Sequence, residues 1–442
     1  MPLKRLKSRL QSAHPDHHAI AKGMLWVVFF VLLGSIARAG KEVAIAYRYG
    51  VSADVDAYLF VFNMVTWPVG VWFSVLTAVM IPLVARIREN APDDLPRYRA
   101  EIAGFSLMVA VGLTVLAGYG LTYLFSGDLS GLDPQTRSIA NDISHLMVLL
   151  IPLGLLISLY SAWMLSSGHH ANTLMESVPS IVMVGALLIF SVADAMLLVW
   201  GTLAGFAFHL ISLGLPLWRR SEIDFPRFSF QSSHWAAFWH GFGIMVVGQA
   251  IMSLVTIIDQ FFAAHQGTGA VATLSYANRV LMLLLGVGAM AVSRATLPVF
   301  SRAIASGEKQ VKQIAVHWIK LMLLLGVAAS IVSWPLANWG ISLLFERGAF
   351  SAEDTKDVAR VFQFGLVQLP FYFAGLVLVS LMTSQRKYHF LFWSSVIGLT
   401  TKVFGNAVLS KAFGIEGIAL ATGLTYAVTF MFFLWALKTQ EK

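Results

Sequence analysis

The chain has 442 residues, of which 57% are hydrophobic and only 12% charged, about half the charged share of a soluble domain. It has no cysteine, which excludes disulfides, thiolate metal sites and cysteine nucleophiles. A formal net charge of +8 would suit nucleic acid in a soluble protein; in a chain this apolar it is assigned to loops on one side of a membrane, and no nucleic-acid partner is expected.

In chain order, residues 1–22 form a basic, polar segment without a small-residue cleavage site after a short apolar core, so no removed signal peptide is expected. Apolar runs then predict helices at 23–47, 56–86, 100–125, 140–166, 171–193, 195–218, 236–263, 271–301, 312–343, 357–384, 388–411 and 415–437. Most are long enough to cross about 30 Å of hydrocarbon, and none alternates with period two as a barrel strand would. The expected fold is therefore an all-α polytopic membrane protein of about twelve transmembrane helices.

The cations set the expected orientation. With the N-terminus inside, nineteen Lys and Arg fall in inner segments and six in outer ones, as the positive-inside rule requires of twelve spans with both ends cytoplasmic. Six more lie within spans: Arg38, Lys41, Arg279, Arg294, Lys320 and Lys402.

The chain also repeats itself. TAVMIPLVARI at 77–87 aligns with SRATLPVFSRA at 293–303 at an offset of 216, with Pro82 on Pro298 and Arg86 on Arg302. Gly50 and Gly267 stand near the start of each unit. An offset of six spans predicts two pseudo-symmetric six-helix bundles around a central cavity that opens alternately to each side. The expected divisions are a cytoplasmic segment 1–22, an N-terminal bundle 23–218, a cytoplasmic amphipathic linker 219–235 and a C-terminal bundle 236–438.

The loops are short and hold no P-loop, no H-E-x-x-H and no carboxylates paired within one span. His169 and His170 read as interfacial residues of a short turn. Neither catalysis nor a cofactor is expected. The intramembrane charges carry the functional signal, because a lone cation at mid-bilayer is costly and faces a cavity or a partner. Arg38 and Lys41 share one face of the first helix, and Glu42, four residues after Arg38, is placed to pair with it. With Arg279 and Arg294 of the eighth helix they predict a cationic cavity built from the first, second, seventh and eighth helices. Arg suits such a cavity because its fork matches phosphate oxygens. Lys320, near an inner helix end, is expected to snorkel.

Four segments resemble one known family. GSIARAGKEVAIAYRYGVSADVDAYLFVF resembles the first-helix signature of the MurJ/MviN lipid II flippase family. DQFFAAHQGTGAVATLSYANRVLMLLLGVGAMAVSRATLPVFSR resembles its seventh and eighth helices, LLFERGAFSAEDT its loop after the ninth, and FGIEGIALATGLTYAV its twelfth. The resemblance runs from about residue 25 to 438. It implies the multidrug/oligosaccharidyl-lipid/polysaccharide exporter fold in a bacterial inner membrane, and a lipid-linked pyrophosphate sugar flipped outward by alternating access. Lys41 and Glu42 fall on the family's Arg-Asp pair, Asp56 on its Asp after the first helix, and Arg279 on its eighth-helix Arg. The implied substrate-binding set is Arg38, Lys41, Glu42, Asp56, Arg279 and Arg294.

There are departures. Ser35 stands near the family's earlier first-helix Arg, with Arg38 one turn on as a substitute. Trp67-Pro68-Val69-Gly70 replaces the paired arginines of its second helix, and the family commonly has two further spans. These differences point to an exopolysaccharide, capsule or O-antigen pathway before lipid II, with a polymerase and glycosyltransferases as partners beside membrane lipids.

The resemblance also implies a coupling site. Some members hold a sodium ion among acidic and amide groups of the seventh and eleventh helices. The similar positions here are Asp259 and Asn406, with Lys402 one turn before Asn406. An ammonium at Lys402 would neutralise Asp259 and take the ion's place. The alternatives are a cation-coupled multidrug exporter on the same fold, which would want an acidic cavity, and a non-transporting scaffold of a polysaccharide-assembly complex, whose cavity charges would be dispensable.

Overall fold

The computed structural model describes residues 33–167, 172–191, 193–304, 308–385 and 387–439, with side chains described throughout except at 173, 244, 287, 290–304, 308–312 and 388. Among the described residues every long element is a helix. They are α1 (33–49), α2 (Ala53–Asn90), α3 (Leu95–Ser126), α4 (Pro134–Met147), α5 (Leu150–Ser166), α6 (Val178–Ile189) and α7 (Ala195–Arg219), then α8 (Trp235–Ala264), α9 (Ala270–Ile304), α10 (Glu308–Phe345), α11 (Ala352–Gly365), α12 (Gln368–Ser384), α13 (Tyr388–Phe413) and α14 (Ile415–Thr439). Taken alone, six of these are long and apolar enough to cross a membrane, and the bent pairs α4–α5 and α11–α12 bring that to eight. Large apolar side chains such as Leu116, Leu188, Ile331 and Phe404 stand exposed along them, a surface that lipid, not water, accommodates.

The sequence predicts the fourth and tenth spans as single helices; the structure bends each at a break, by 48° and 41°. The cause is a proline at the same place in each. Pro152 and Pro370 supply no backbone N–H, and their rings crowd the carbonyls of Val148 and Leu366, one turn earlier. With no N–H at position 370, the Leu366 carbonyl accepts from the Leu369 N–H at 3.1 Å and from the Ser330 hydroxyl at 2.8 Å. The two bends carry the internal repeat into three dimensions. So do Gly50 and Gly267, both left-handed, at φ 57° and 105°, just ahead of α2 and α9.

The first half packs α2 against α4, α5 and α7, and α6 against α7; the second packs α10 and α14 against α12, and α13 against α14. The halves meet where α2 lies against α8 and α9.

Between α7 and α8 the chain runs extended and is strapped to α3. Glu101, on α3 and fully buried, accepts from the Ser229 hydroxyl (2.9 Å), the Ser232 N–H (3.0 Å) and the Trp235 indole N–H (2.7 Å). Arg99 and Asp224 pair at 2.8 Å. Gly104 lets the strap approach, since a Cβ there would sit 2.2 Å from the Arg227 carbonyl oxygen.

Candidate functional site

The first helix brings three charges to one recess. Arg38 and Lys41 lie three residues apart, which puts them on one face, and α1 runs unbroken from 33 to 49 past Gly40. Arg279 stands nine residues into α9, roughly 14 Å from its start at 1.5 Å per residue. Arg38 and Lys41 lie eleven and eight residues before the end of α1, so both sets stand roughly 12–17 Å along their helices from the end that carries Gly50 and Gly267. The recess between them has a volume of about 430 Å³ and is lined by α1, α6, α9 and α10. The expected second and seventh helices do not line it. They pack against each other where the halves meet, and Ser180 of α6 with Leu344 and Phe345 of α10 supply the remaining wall.

Within the recess Glu42 is the hub. Its Oε1 lies 3.1 Å from Lys41 Nζ and 3.3 Å from an Arg279 guanidinium nitrogen. The expected pair between Arg38 and Glu42 does not form. Arg38 is exposed and donates to the Ser35 hydroxyl at 3.1 Å. The reason is competition: Lys41 and Arg279 already neutralise Glu42 from both sides. Three cations against one carboxylate leave the lining with a surplus of two positive charges.

Asp56 is not part of this recess, contrary to expectation. It is buried at the junction of the halves, where its carboxylate accepts from the backbone N–H groups of Gly269 (2.6 Å) and Ala272 (2.7 Å). The first N–H groups of a helix have no partner inside it and carry the positive end of its dipole, so a carboxylate is drawn to them. The α9 start is thus capped by a residue 213 positions earlier. Around it Thr268 donates to Asp133 at 2.9 Å, Ala349 N–H to the Tyr47 carbonyl at 2.7 Å, and the Tyr276 hydroxyl to the Gly50 carbonyl at 3.3 Å. These bonds join the two halves at the end that carries Gly50 and Gly267. Arg294 lies on α9, but its side chain is outside the described residues, as are His169 and His170. Lys320 is exposed.

A second cluster sits apart, among α8, α13 and α14. Lys402 is fully buried, and its ammonium lies 2.8 Å from Asp259 Oδ1. It also donates to the Ile418 carbonyl at 3.2 Å and to the Thr422 hydroxyl. Asn406 Nδ2 donates to the same Asp259 oxygen at 2.8 Å. The three coupling candidates are thus brought together, while Thr422 and the Ile418 carbonyl escaped the sequence reading, a carbonyl having no sequence signal at all. Removing one partner of such a buried pair strands the other charge, at about 3–5 kcal/mol. A second cation about 4 Å from the ammonium would be repelled by about 4 kcal/mol at an effective dielectric of 20. The residues present therefore do not fit a resident sodium ion. Among the described residues no group of three His, Cys, Asp or Glu is placed to hold a metal.

Over residues 45–442 the chain matches the family described as lipid II flippase MurJ. It is 25% identical over 413 residues to the probable lipid II flippase MurJ of Thermotoga maritima, covering 90% of this chain and 81% of that one. To the probable lipid II flippase MurJ of Buchnera aphidicola subsp. Baizongia pistaciae it is 21% identical over 428 residues, covering 93% and 82%. Among solved structures it superposes on a lipid II flippase MurJ in an inward closed conformation with a TM-score of 0.79, at 18% identity and with 94% and 87% of the two chains covered. An inward-facing multidrug resistance MATE family transporter of the MOP superfamily gives 0.71, at 14% identity and with 93% and 97% covered. The chain belongs to the MurJ family, whose members are multi-pass inner-membrane flippases of lipid-linked intermediates and not enzymes.

Proposed function

We propose that this flippase carries a lipid-linked, pyrophosphate-bearing sugar from the cytoplasmic to the outer leaflet, with Arg38, Lys41 and Arg279 receiving the pyrophosphate in the recess. The observation that carries the reading is the twofold positive surplus around Glu42, with both halves contributing. A pyrophosphate diester brings two negative charges, and charge-assisted bonds from guanidinium and ammonium groups are the strong ones. A site shared by two halves lets the substrate bias their relative position. The basic segments mark the inner side, with both termini cytoplasmic and the end that carries Gly50 facing outward. Lipid II is the first candidate substrate, on the strength of the family and the relatives' names.

A second reading, an exopolysaccharide, capsule or O-antigen intermediate, draws on Trp67, which stands where arginines are expected and donates instead to Ser253 at 2.8 Å. The multidrug alternative would need an acidic recess; the lining holds one carboxylate against three cations.

The test is reconstitution in proteoliposomes with fluorescent lipid II and, in parallel, a lipid-linked oligosaccharide of another pathway, scored by accessibility to an impermeant quencher. Arg38→Ala, Lys41→Ala and Arg279→Ala should each slow flipping at least tenfold at equal protein levels. Unchanged flipping in all three would sink the reading and favour the scaffold.

A further inference from the structure

We infer that the Lys402 ammonium is a tethered cation permanently filling a cation-coordinating shell among α8, α13 and α14, leaving no place in that shell for an exchangeable sodium ion. The shell is made of oxygens. Asp259 Oδ1, the Ile418 carbonyl and the Thr422 hydroxyl all accept from the one nitrogen, which is fully buried. Asn406 Oδ1 is a further oxygen of this cluster, buried and without a hydrogen-bond donor. Carboxylate, carbonyl, hydroxyl and amide oxygens from α8, α13 and α14 are the donor set a hard monovalent ion uses. Here a side chain four methylenes long delivers the charge instead.

The consequence is a difference in kind. An exchangeable ion stabilises the shell only in proportion to its concentration, by mass action. A covalently attached ammonium does so at any salt composition. The C-terminal half should therefore keep its packing without sodium, and removing the tether should create a demand for a free ion. Coupling of transport to a sodium gradient through this shell is excluded while Lys402 is charged. The inference concerns the C-terminal half alone and does not depend on which glycan is carried.

The experiment is thermal denaturation of the purified full-length protein in detergent, titrated with sodium, lithium, potassium or choline chloride at constant ionic strength. The wild type should show the same Tm in all four. Lys402→Ser, which opens the shell and leaves Asp259 in place, should start from a lower Tm and recover saturably with sodium or lithium but not with choline. If that variant is not recovered folded, Lys402→Asn, which offers an amide oxygen, is measured in the same way. Saturable, sodium-specific stabilisation of the wild type would overturn the inference. So would a folded Lys402→Ser or Lys402→Asn protein indifferent to every cation, since the shell would then not be built for one. The assay reads no transport, so its failure and failure of the flippase reading are separable.

Discussion

Arg279 on α9 approaches Glu42 on α1 to 3.3 Å, tying the second half of the chain to the first inside the cationic recess. The contact is between opposite charges from helices more than two hundred residues apart, and it leaves Lys41 on the same carboxylate oxygen. Because Glu42 holds Lys41 and Arg279 while Arg38 bonds to the Ser35 hydroxyl, an arriving phosphate must compete with Glu42 for two of the three cations but not for Arg38.

From this competition it follows that Arg279→Lys and Arg279→Ala should differ. Lysine keeps the charge but not the two-pronged geometry that matches phosphate oxygens. Flipping in proteoliposomes should fall several-fold for Arg279→Lys and at least tenfold for Arg279→Ala, with both proteins reaching normal levels. Equal, full activity for the alanine variant would remove Arg279 from the site.

Asp56 makes a prediction about stability. Its carboxylate satisfies two backbone N–H groups at a buried helix start. Asp56→Ala leaves them unpaired, a loss of about 1–3 kcal/mol. Thermal denaturation should show a clear drop in Tm, and Asp56→Asn, which keeps one acceptor oxygen but not the charge, should fall between. An Asp56→Ala protein as stable as the parent would show that water replaces the cap.

The connector between the halves can be tested at one glycine. A methyl group at Gly104 collides with the Arg227 backbone, and strain of this kind costs about 1–3 kcal/mol. Gly104→Ala should loosen the strap, seen as faster limited proteolysis between residues 221 and 230, while Gly112→Ala, with nothing nearby, should match the parent. Similar cleavage of both variants would argue against close docking of the strap.

Asp133 gives the pH dependence. Burial opposes its ionisation, but the Thr136 hydroxyl and N–H, the Thr268 hydroxyl and the Gln135 N–H bond the carboxylate and hold its pKa below the ordinary 3.8. A carboxyl with a depressed folded-state pKa contributes stability that is present above its ordinary value and lost as pH falls through the folded one. The Tm gap between wild type and Asp133→Asn should therefore be full at neutral pH and shrink once pH drops below 3.8. A gap that stays constant down to the acid limit of folding would show that the charge is not what matters.

Much of this architecture is written in the chain itself, and some of it is not. Apolar runs, cation sidedness and the 216-residue offset identify the spans and the repeat, because hydrocarbon forces each segment to satisfy its own backbone as a helix, a property read one segment at a time. Lys41, Glu42 and Arg279 could be singled out for the same local reason: charge within an apolar run demands a partner. Which partner was beyond reach. Spacing favours Arg38 for Glu42, yet Lys41 and Arg279 take it; Asp56 reads as a cavity residue, yet it finds the N–H groups of α9; the shell around Lys402 is completed by a carbonyl of α14. Only the packing of the two halves decides these, because each bond depends on the meeting of helices distant in sequence, and backbone groups that serve as partners look alike at every residue.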